Sequence, residues 1–409
     1  MKRILYSIAC IAIISTGCSD GLGENKEVKV LNAQKYTKTI SLSRAESTEN
    51  DAINTFAMDL FAKGLAESAC WDDNDNFSLS PLSASLCLGM IANSSDDETA
   101  AKIVNAMGCS SLEDMTSTCT KLMNYLPHAD NGGTLYLANS IWVDDAYSLL
   151  DSYTSKMNSA FNADIYSFDF SRSDMADLMN YWCAKKTDNL ISQVVKNVSP
   201  ANIAYLFNAM YFAAKWKTPF DKNKTANGTF YGSKRTSTVK NMTVKDSFTT
   251  YVADDCEAVQ LPFKNEKADM IFILPNKDVD IYEFSAGFDA AKFDYVMSKK
   301  YGQSSLNVVL PIFCLEQNYA MNTIFRNIGM DIQELSFAKA GIPGMQTSVT
   351  TQSNYVSIDE TGAKAASVTS TTLLTSVNEG LLNFDRPFIF VIRNNVTGSI
   401  IMAGRVCNL

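Results

Sequence analysis

Apolar residues at Ile53, Phe56, Ala57, Leu60 and Phe61 recur at three- and four-residue intervals, the spacing of one helix face, and predict an amphipathic helix. From Ser83 to about Ile91 the apolar character is nearly unbroken, which predicts a second helix buried on all sides. The second half changes period. Met270 to Leu274 ahead of Pro275-Asn276, and Leu306 to Leu310 ahead of Pro311, are short apolar runs closed by turn residues. Phe388 to Ile392 is joined to Ile400 to Ala403 through Asn394-Asn-Val-Thr-Gly398. All of these predict buried strands. Helices early and strands late predict an α+β fold. No Pro/Gly/Ser-rich linker and no repeat divides residues 51–409, so a single domain is expected there.

The N-terminus follows a different logic. Met1-Lys-Arg is basic, Ile4 to Ile14 is an apolar run too short to span a bilayer, and Ser15-Thr-Gly-Cys18 follows. This reads as a bacterial lipoprotein signal over residues 1–17. Cleavage before Cys18 and acylation of its sulfur and amine would anchor the protein to a membrane, because several acyl chains hold where one is marginal. Ser15 stands where such signals usually carry Leu, and an ordinary secretory signal is the alternative. Residues 18–50 are polar, rich in Ser, Thr, Lys and Glu and without periodicity, so a flexible tether is expected. The implied location is the bacterial outer membrane, facing the periplasm or the cell exterior. No later run has transmembrane length.

Charge and chemistry exclude more than they suggest. Net charge is −9, from 35 basic and 44 acidic residues, and the basic pairs Lys185-Lys186, Lys234-Arg235 and Lys299-Lys300 are scattered, which argues against a nucleic-acid partner. Of ten cysteines, Cys10 falls in the signal and Cys18 at the lipid site; the remaining eight allow 105 pairings. Cys87, Cys183, Cys314 and Cys407 sit in apolar or motif segments and read as small buried hydrophobes, while Cys109 and Cys119 are close enough in sequence to bridge. His128 is the single histidine and lies in a polar stretch that reads as a loop, which leaves a Ser-His-Asp hydrolase without its base; with no Cys-x-x-Cys pair either, a zinc or Cys-His site has little to work with. Gly17-Cys-Ser-Asp-Gly21 matches the nucleophile-elbow pattern but straddles the signal cleavage point. Ser237 and Lys240 share a Ser-Lys spacing with nothing around them to support it. No enzyme and no cofactor is expected.

One segment has an unusual composition. From Ala363 to Thr372 there is no aromatic residue, no proline and one charge, yet the Val and Thr content suits a strand. As a strand it would place Ala363, Ala365, Ser367, Thr369 and Thr371 on one face, and Lys364, Ala366, Val368, Ser370 and Thr372 on the other. The first face is small and uncharged throughout, so nothing on it resists burial in a sheet.

Glu360, Gly362, the Ala365-Ala366 pair, Arg386-Pro-Phe388, Phe390, Gly398, Gly404-Arg-Val406 and Asn408 resemble the hinge and C-terminal signature of serpins. Asn76-Phe-Ser-Leu-Ser80-Pro-Leu-Ser83 is similar to that family's segment at the base of its central sheet. Asn180-x-Trp182 with Thr187 and Ile191, Asn208 to Phe220 with Trp216, and Leu310-Pro-x-Phe313 match three more of its segments, in its order. The resemblance implies a helical bundle on a large central sheet with smaller sheets, and an exposed reactive loop near the C-terminus. It implies suicide inhibition of a protease, which forms an acyl-enzyme with the loop and is trapped when the hinge, Glu360 and Gly362 to Val368, inserts as a new strand. Ala363 stands where the family usually carries Thr or another small residue, and Lys364 where Glu is common. Gln352 replaces a His in the sheet-opening region, with Ser80, Ser83, Asn208 and Trp216; a helix cap and a satisfied polar core are the plainer reading of Ser80, Ser83 and Asn208. Counting by the family's spacing puts the reactive bond between Ser376 and Val377, with Leu374 and Thr375 as competing sites. A small residue there implies elastase-like or subtilisin-like targets, and papain-like proteases are an alternative. The scattered basic residues argue against activation by polyanions. The protein is expected to act as a monomer, in covalent complex with its target; a non-inhibitory binding module of the same fold is the rival reading.

Overall fold

A computed structural model describes residues 37–67, 71–129, 133–330, 337–342, 349–363 and 380–409. The signal, Cys18, the tether as far as residue 36, the hinge residues Lys364, Ala365, Ala366, Ser367 and Val368, and both candidate reactive bonds, Leu374–Thr375 and Ser376–Val377, lie outside the described residues.

The first helix, α1 (Arg44–Leu65), begins ahead of Asp51, where the apolar pattern starts. Ser43 Oγ accepts from Glu46 N at 3.2 Å, while the Glu46 carboxylate accepts from Ser43 N at 2.7 Å, a reciprocal capping box that fixes the start. Arg44 to Asn50 are therefore helix rather than tether. The apolar pattern does not mark this turn because its buried face is polar: Glu46, Glu49 and Asn50 are all at most 5 % exposed. Glu46 takes hydrogen bonds from Lys121 and Ser117, and Asn50 donates to Thr397 O.

After β1 (Phe77–Leu79), α2 (Pro81–Ser94) is buried at every position, with Ser80 as N-cap and Pro81 at the first helical position, where its missing N–H costs nothing. Helices α3 (Asp97–Ala106), α4 (Leu112–Tyr125) and α5 (Asp151–Phe161) pack around it, with β2 (Gly133–Asp144) before α5 and β3 (Ala163–Phe168) after it. His128 closes a 3-10 turn, Leu126–His128, at the end of α4 rather than lying in an open loop. Next come α6 (Met175–Lys186), β4 (Ala204–Lys215), β5 (Ala226–Tyr231), β6 (Thr236–Val252), β7 (Cys256–Pro262) and β8 (Ala268–Pro275). The chain continues through α7 (Ile281–Ala286), α8 (Ala290–Ser298), β9 (Lys300–Pro311), β10 (Phe313–Ala320) and α9 (Asn322–Asn327). It ends with β11 (Val349–Asp359), β12 (Gly362–Ala363), β13 (Gly380–Asn383), β14 (Phe388–Asn394) and β15 (Ile400–Val406).

The central sheet is mixed, in the order β10-β11-β12-β4-β2-β3, and β11 also pairs directly with β4. The second sheet runs β1-β15-β14-β8-β7-β6-β9-β13, with β5 on β6. One core fills the space between the sheets and the bundle of α1, α2, α4 and α5. A second lies on the outer face of the central sheet, where Met175, Met179, Trp182 and Cys183 of α6 meet Trp142, Tyr205 and Phe207. The α+β architecture matches the expectation. The cysteines correct two others: Cys109 and Cys119 are buried free thiols, not a bridge, and Cys314 is exposed because strand alternation turns it outward. No helix among the described residues is long and apolar enough to cross a membrane.

Candidate functional site

The site is the seam between β4 and β11. β4 alternates cleanly: Leu206, Asn208, Met210, Phe212 and Ala214 face the main core, while Tyr205, Phe207 and Ala209 face α6. β11 runs parallel to it, from Val349 opposite Tyr205 to Tyr355 opposite Tyr211. Beyond that pair the strands part, and β12 stands between them. Ala363 pairs with Ile358 on one side and Ala214 on the other, and Gly362 pairs with Asp359 and Lys215. On the outer face just below, the rings of Tyr136, Tyr211 and Tyr355 lie across three strands, with centroids 5.7 and 6.2 Å apart. Burial pushes the Tyr355 phenol up to about 12, with the Cys314 thiol beside it adding to the effect.

The turn that delivers β12 is built by Asp359, whose Oδ1 accepts from Thr361 N at 2.7 Å, Thr361 Oγ1 at 2.6 Å and Gly362 N at 3.2 Å. Gly362 has φ +153°, and a Cβ there would sit 1.9 Å from Ala214 O, so only glycine lets the strand enter so close to β4. Glu360 points away: its carboxylate accepts from Thr225 Oγ1 at 2.7 Å and its carbonyl from Phe220 N at 2.9 Å. Trp216 braces the mouth, donating Nε1–H to Asp359 O at 3.0 Å and stacking on Phe263 at 4.8 Å.

Deeper in the seam lies a polar row on the inner face, Asn139, Asn208, Gln352 and Tyr319, each directly opposite the next across β2, β4, β11 and β10. Gln352 makes a reciprocal pair with the N-cap of α2: Oε1 accepts from Ser80 N at 2.9 Å and Nε2 donates to Ser80 O at 2.8 Å. Ser80 Oγ donates to Ile401 O and accepts from Ser83 N. The structure thus joins Ser80 to Gln352. Asn208 shares their row, but its Nδ2 donates to Asn139 Oδ1 at 2.6 Å. Ser83 contributes only its backbone N–H, its hydroxyl being buried without a partner. Trp216 belongs to the mouth, not to this row. The sequence pattern did not single out Asn139, Asn354, Tyr319, Gln317 or Asp359. Of these only Asn354 had a local signal that could have found it, since it stands two residues from Gln352 and so on the same strand face.

The other motif residues are structural ties. Asn180 Oδ1 accepts from Val194 N and Val195 N, and Trp182 Nε1 donates to Asp164, which holds α6 over the sheet. Asn76 Oδ1 accepts from Cys407 N and Asn408 N, binding the C-terminus to β1. Gly404 leaves room for the Phe390 ring, which a Cβ would meet at 2.3 Å. Among the described residues no three His, Cys, Asp or Glu side chains are grouped to hold a metal.

Comparison with known proteins agrees with this geometry. The family described as Serpin (serine protease inhibitor) matches residues 51–409. A serpin-like protein of Thermococcus kodakarensis is 26 % identical over 433 residues, covering 100 % of this chain and 99 % of its own. The leukocyte elastase inhibitor of Homo sapiens is 28 % identical over 380 residues, covering 87 % and 98 %. The native structure of tengpin, a thermophilic serpin, superposes with a TM-score of 0.79 at 26 % identity, over 92 % of this chain and 97 % of that one. A chain matched by the family model over residues 51–409, well over half its length, is a member of the serpin family.

Proposed function

We propose that this serpin is a suicide-type inhibitor of serine proteases, of elastase-like or subtilisin-like specificity, which traps its target by drawing the reactive loop into the seam. The observation that carries this reading is β12. Gly362 and Ala363 stand as the first two residues of a strand between β11 and β4, and the positions that follow on the Ala363 face are small and uncharged. The other end of the loop is held by β13, which pairs with β9 at the edge of the second sheet. An intact loop is therefore tethered at both ends. When a protease serine attacks the Ser376 carbonyl, an ester forms, the bond to Val377 breaks and the Val377 amine leaves. Residues 364–376 are then free to extend β12, carrying the esterified protease with them before water can release it. The trap is kinetic, because insertion releases strain stored in the intact fold faster than water can hydrolyse the ester.

A small residue at the reactive bond suits a shallow specificity pocket, and leukocyte elastase inhibitors are among the relatives. Cleavage at Leu374 would instead favour chymotrypsin-like targets. Acylation at Cys18 would hold the folded domain at a membrane surface on its N-terminal segment. The test is incubation with elastase, subtilisin, chymotrypsin, trypsin and papain. The expected result is a complex with elastase or subtilisin that survives boiling in detergent, and a released peptide beginning at Val377. Loop cleavage by every protease with no such complex would replace this reading with that of a binding module.

A further inference from the structure

Lysines from three separate stretches of the chain surround the mouth of the seam. Lys215 ends β4, and its carbonyl accepts from Lys264 N at 2.8 Å, which brings the β7–β8 turn alongside. Lys217 follows Trp216, whose backbone N–H donates to Thr361 O. Lys222 and Lys224 lie in a 3-10 turn flanked by Phe220 and Thr225, both of which bond to Glu360. All of these lysines are exposed. Glu266 pairs with Lys217 at 2.8 Å, but Lys215, Lys222, Lys224 and Lys264 have no carboxylate partner among the described residues. Asp359 and Glu360 are buried and accept from Thr361 and Thr225, Asp246 accepts from Thr218 and Ser247 N, and the exposed Asp221 accepts from Asn223 N. Set against Glu266, Asp221 and Asp246, the lysines leave a positive excess, on a chain whose net charge is −9.

This patch lies between the two anchors of the reactive loop. On one side Lys215 stands opposite Gly362 of β12. On the other, Thr218 Oγ1 donates to Asp246, Asp246 stands opposite Leu306, and Leu306 stands opposite Gly380, the first residue of β13. Neighbouring strands are about 4.8 Å apart, so Gly380 lies about 10 Å from Asp246. A protease that engages the loop between these anchors meets the lysines with the surface beside its cleft. Opposite charge there speeds the encounter and like charge opposes it.

We propose that Lys215, Lys217, Lys222, Lys224 and Lys264 form a docking surface for the target protease, one that fits an enzyme with an acidic rim beside its active-site cleft. The surface acts on the rate of encounter, since exposed rim charges change association more than they change the bound state. This rests on the reading of the chain as a protease inhibitor and adds which of several proteases with the same cleft specificity it meets fastest.

The test compares subtilisin with the same enzyme after succinylation of its lysines, which makes its surface acidic; the two are matched by activity on a small chromogenic peptide. The readout is the second-order rate of attack on the loop, counting cleaved and complexed inhibitor together, so that it does not depend on strand insertion. At low salt the succinylated enzyme should react about tenfold faster than the unmodified one. At 1 M salt, where the Debye length is ~3 Å, the two rates should converge. Lys222→Glu combined with Lys264→Glu should remove most of that advantage. Lys63→Glu combined with Lys102→Glu makes the same charge change at exposed positions of α1 and α3, and should keep the advantage to within about twofold. An equal loss in both double variants would mean that net charge alone steers the encounter, and would overturn the docking surface. A rate that does not respond to salt would overturn it as well. Loop cleavage without a stable complex, at rates that keep the expected order, would overturn suicide inhibition and leave the docking surface standing.

Discussion

Replacing Ala363 by Glu tests whether strand insertion is the working step. Ala363 is 3 % exposed, flanked by Ile358 and Ala214, and its face continues into the apolar core that holds Phe212 and Val356. Both residues opposite it, Ile358 and Ala214, are apolar, so a carboxylate entering the sheet there must be neutralised. Moving a glutamate from its ordinary pKa to neutral form at pH 7 costs about 4 kcal/mol, from ~1.4 kcal/mol per pH unit. Burying the resulting acid without a full set of partners adds about 1 kcal/mol or more. A barrier raised by ~5 kcal/mol slows insertion by roughly three to four orders of magnitude. The native protein escapes most of this, because β12 is two residues long and peels back at little loss. Ala363→Glu should therefore fold normally and be cleaved by elastase or subtilisin as readily as before, yet form almost no detergent-stable complex. The assay titrates a fixed amount of protease and reads how many inhibitor molecules each inactivation consumes. The ratio should rise from near one to above about ten, since deacylation now wins. An unchanged ratio with undiminished complex would refute the reasoning, because the hinge would then not be entering the sheet.

Other predictions follow from the same contacts. Gln352→Ala removes both bonds to Ser80 and the acceptor for Asn354, so the denaturant midpoint should correspond to a loss of about 3 kcal/mol, and inhibitory activity should decay faster on warming; an unchanged midpoint would mean that the polar row does not hold the sheet closed. Burial alone would raise the Glu46 carboxyl, but hydrogen bonds from Lys121, Ser43 N and Ser117 outweigh it and hold it at about 2. A carboxyl lowered on folding stabilises above its unfolded value and loses that contribution as pH falls, here between about 4.5 and about 2. Glu46→Gln should cost about 1 kcal/mol at pH 7 and flatten the stability curve across that window. Arg405 is fully buried, its guanidinium 4.2 Å from the Trp71 ring and bonded to Ser285 and Asp75 O, so Arg405→Ala should destabilise by about 3–5 kcal/mol, read by urea unfolding.

What could be read from the sequence divides along physical lines. α2, β8, β14 and β15 are buried on every side, so unbroken apolar runs mark them without reference to partners. Ala363 could be assigned a face because strand alternation is a local rule, and it is buried between β11 and β4. The start of α1 was obscured because Glu46, Glu49 and Asn50 are buried polar residues whose partners lie in distant segments, Asn50 meeting Thr397 and Ser399 across the whole chain. The polar row was half legible for the same reason. Ser80 and Gln352 stood out through family resemblance, but Asn139 and Tyr319 matter only because β2 and β10 bring them level with Asn208 and Gln352. Nothing near Asn139 in sequence points to that alignment.

On the proposed mechanism the cleaved loop becomes a strand between β4 and β11. The most direct measurement is thermal unfolding of the protein before and after the loop alone is cut by a protease. The cleaved form should melt about 15 °C or more above the intact one, because the freed segment adds a ladder of hydrogen bonds on both sides. A cleaved form that melts at the same temperature as the intact protein would contradict it.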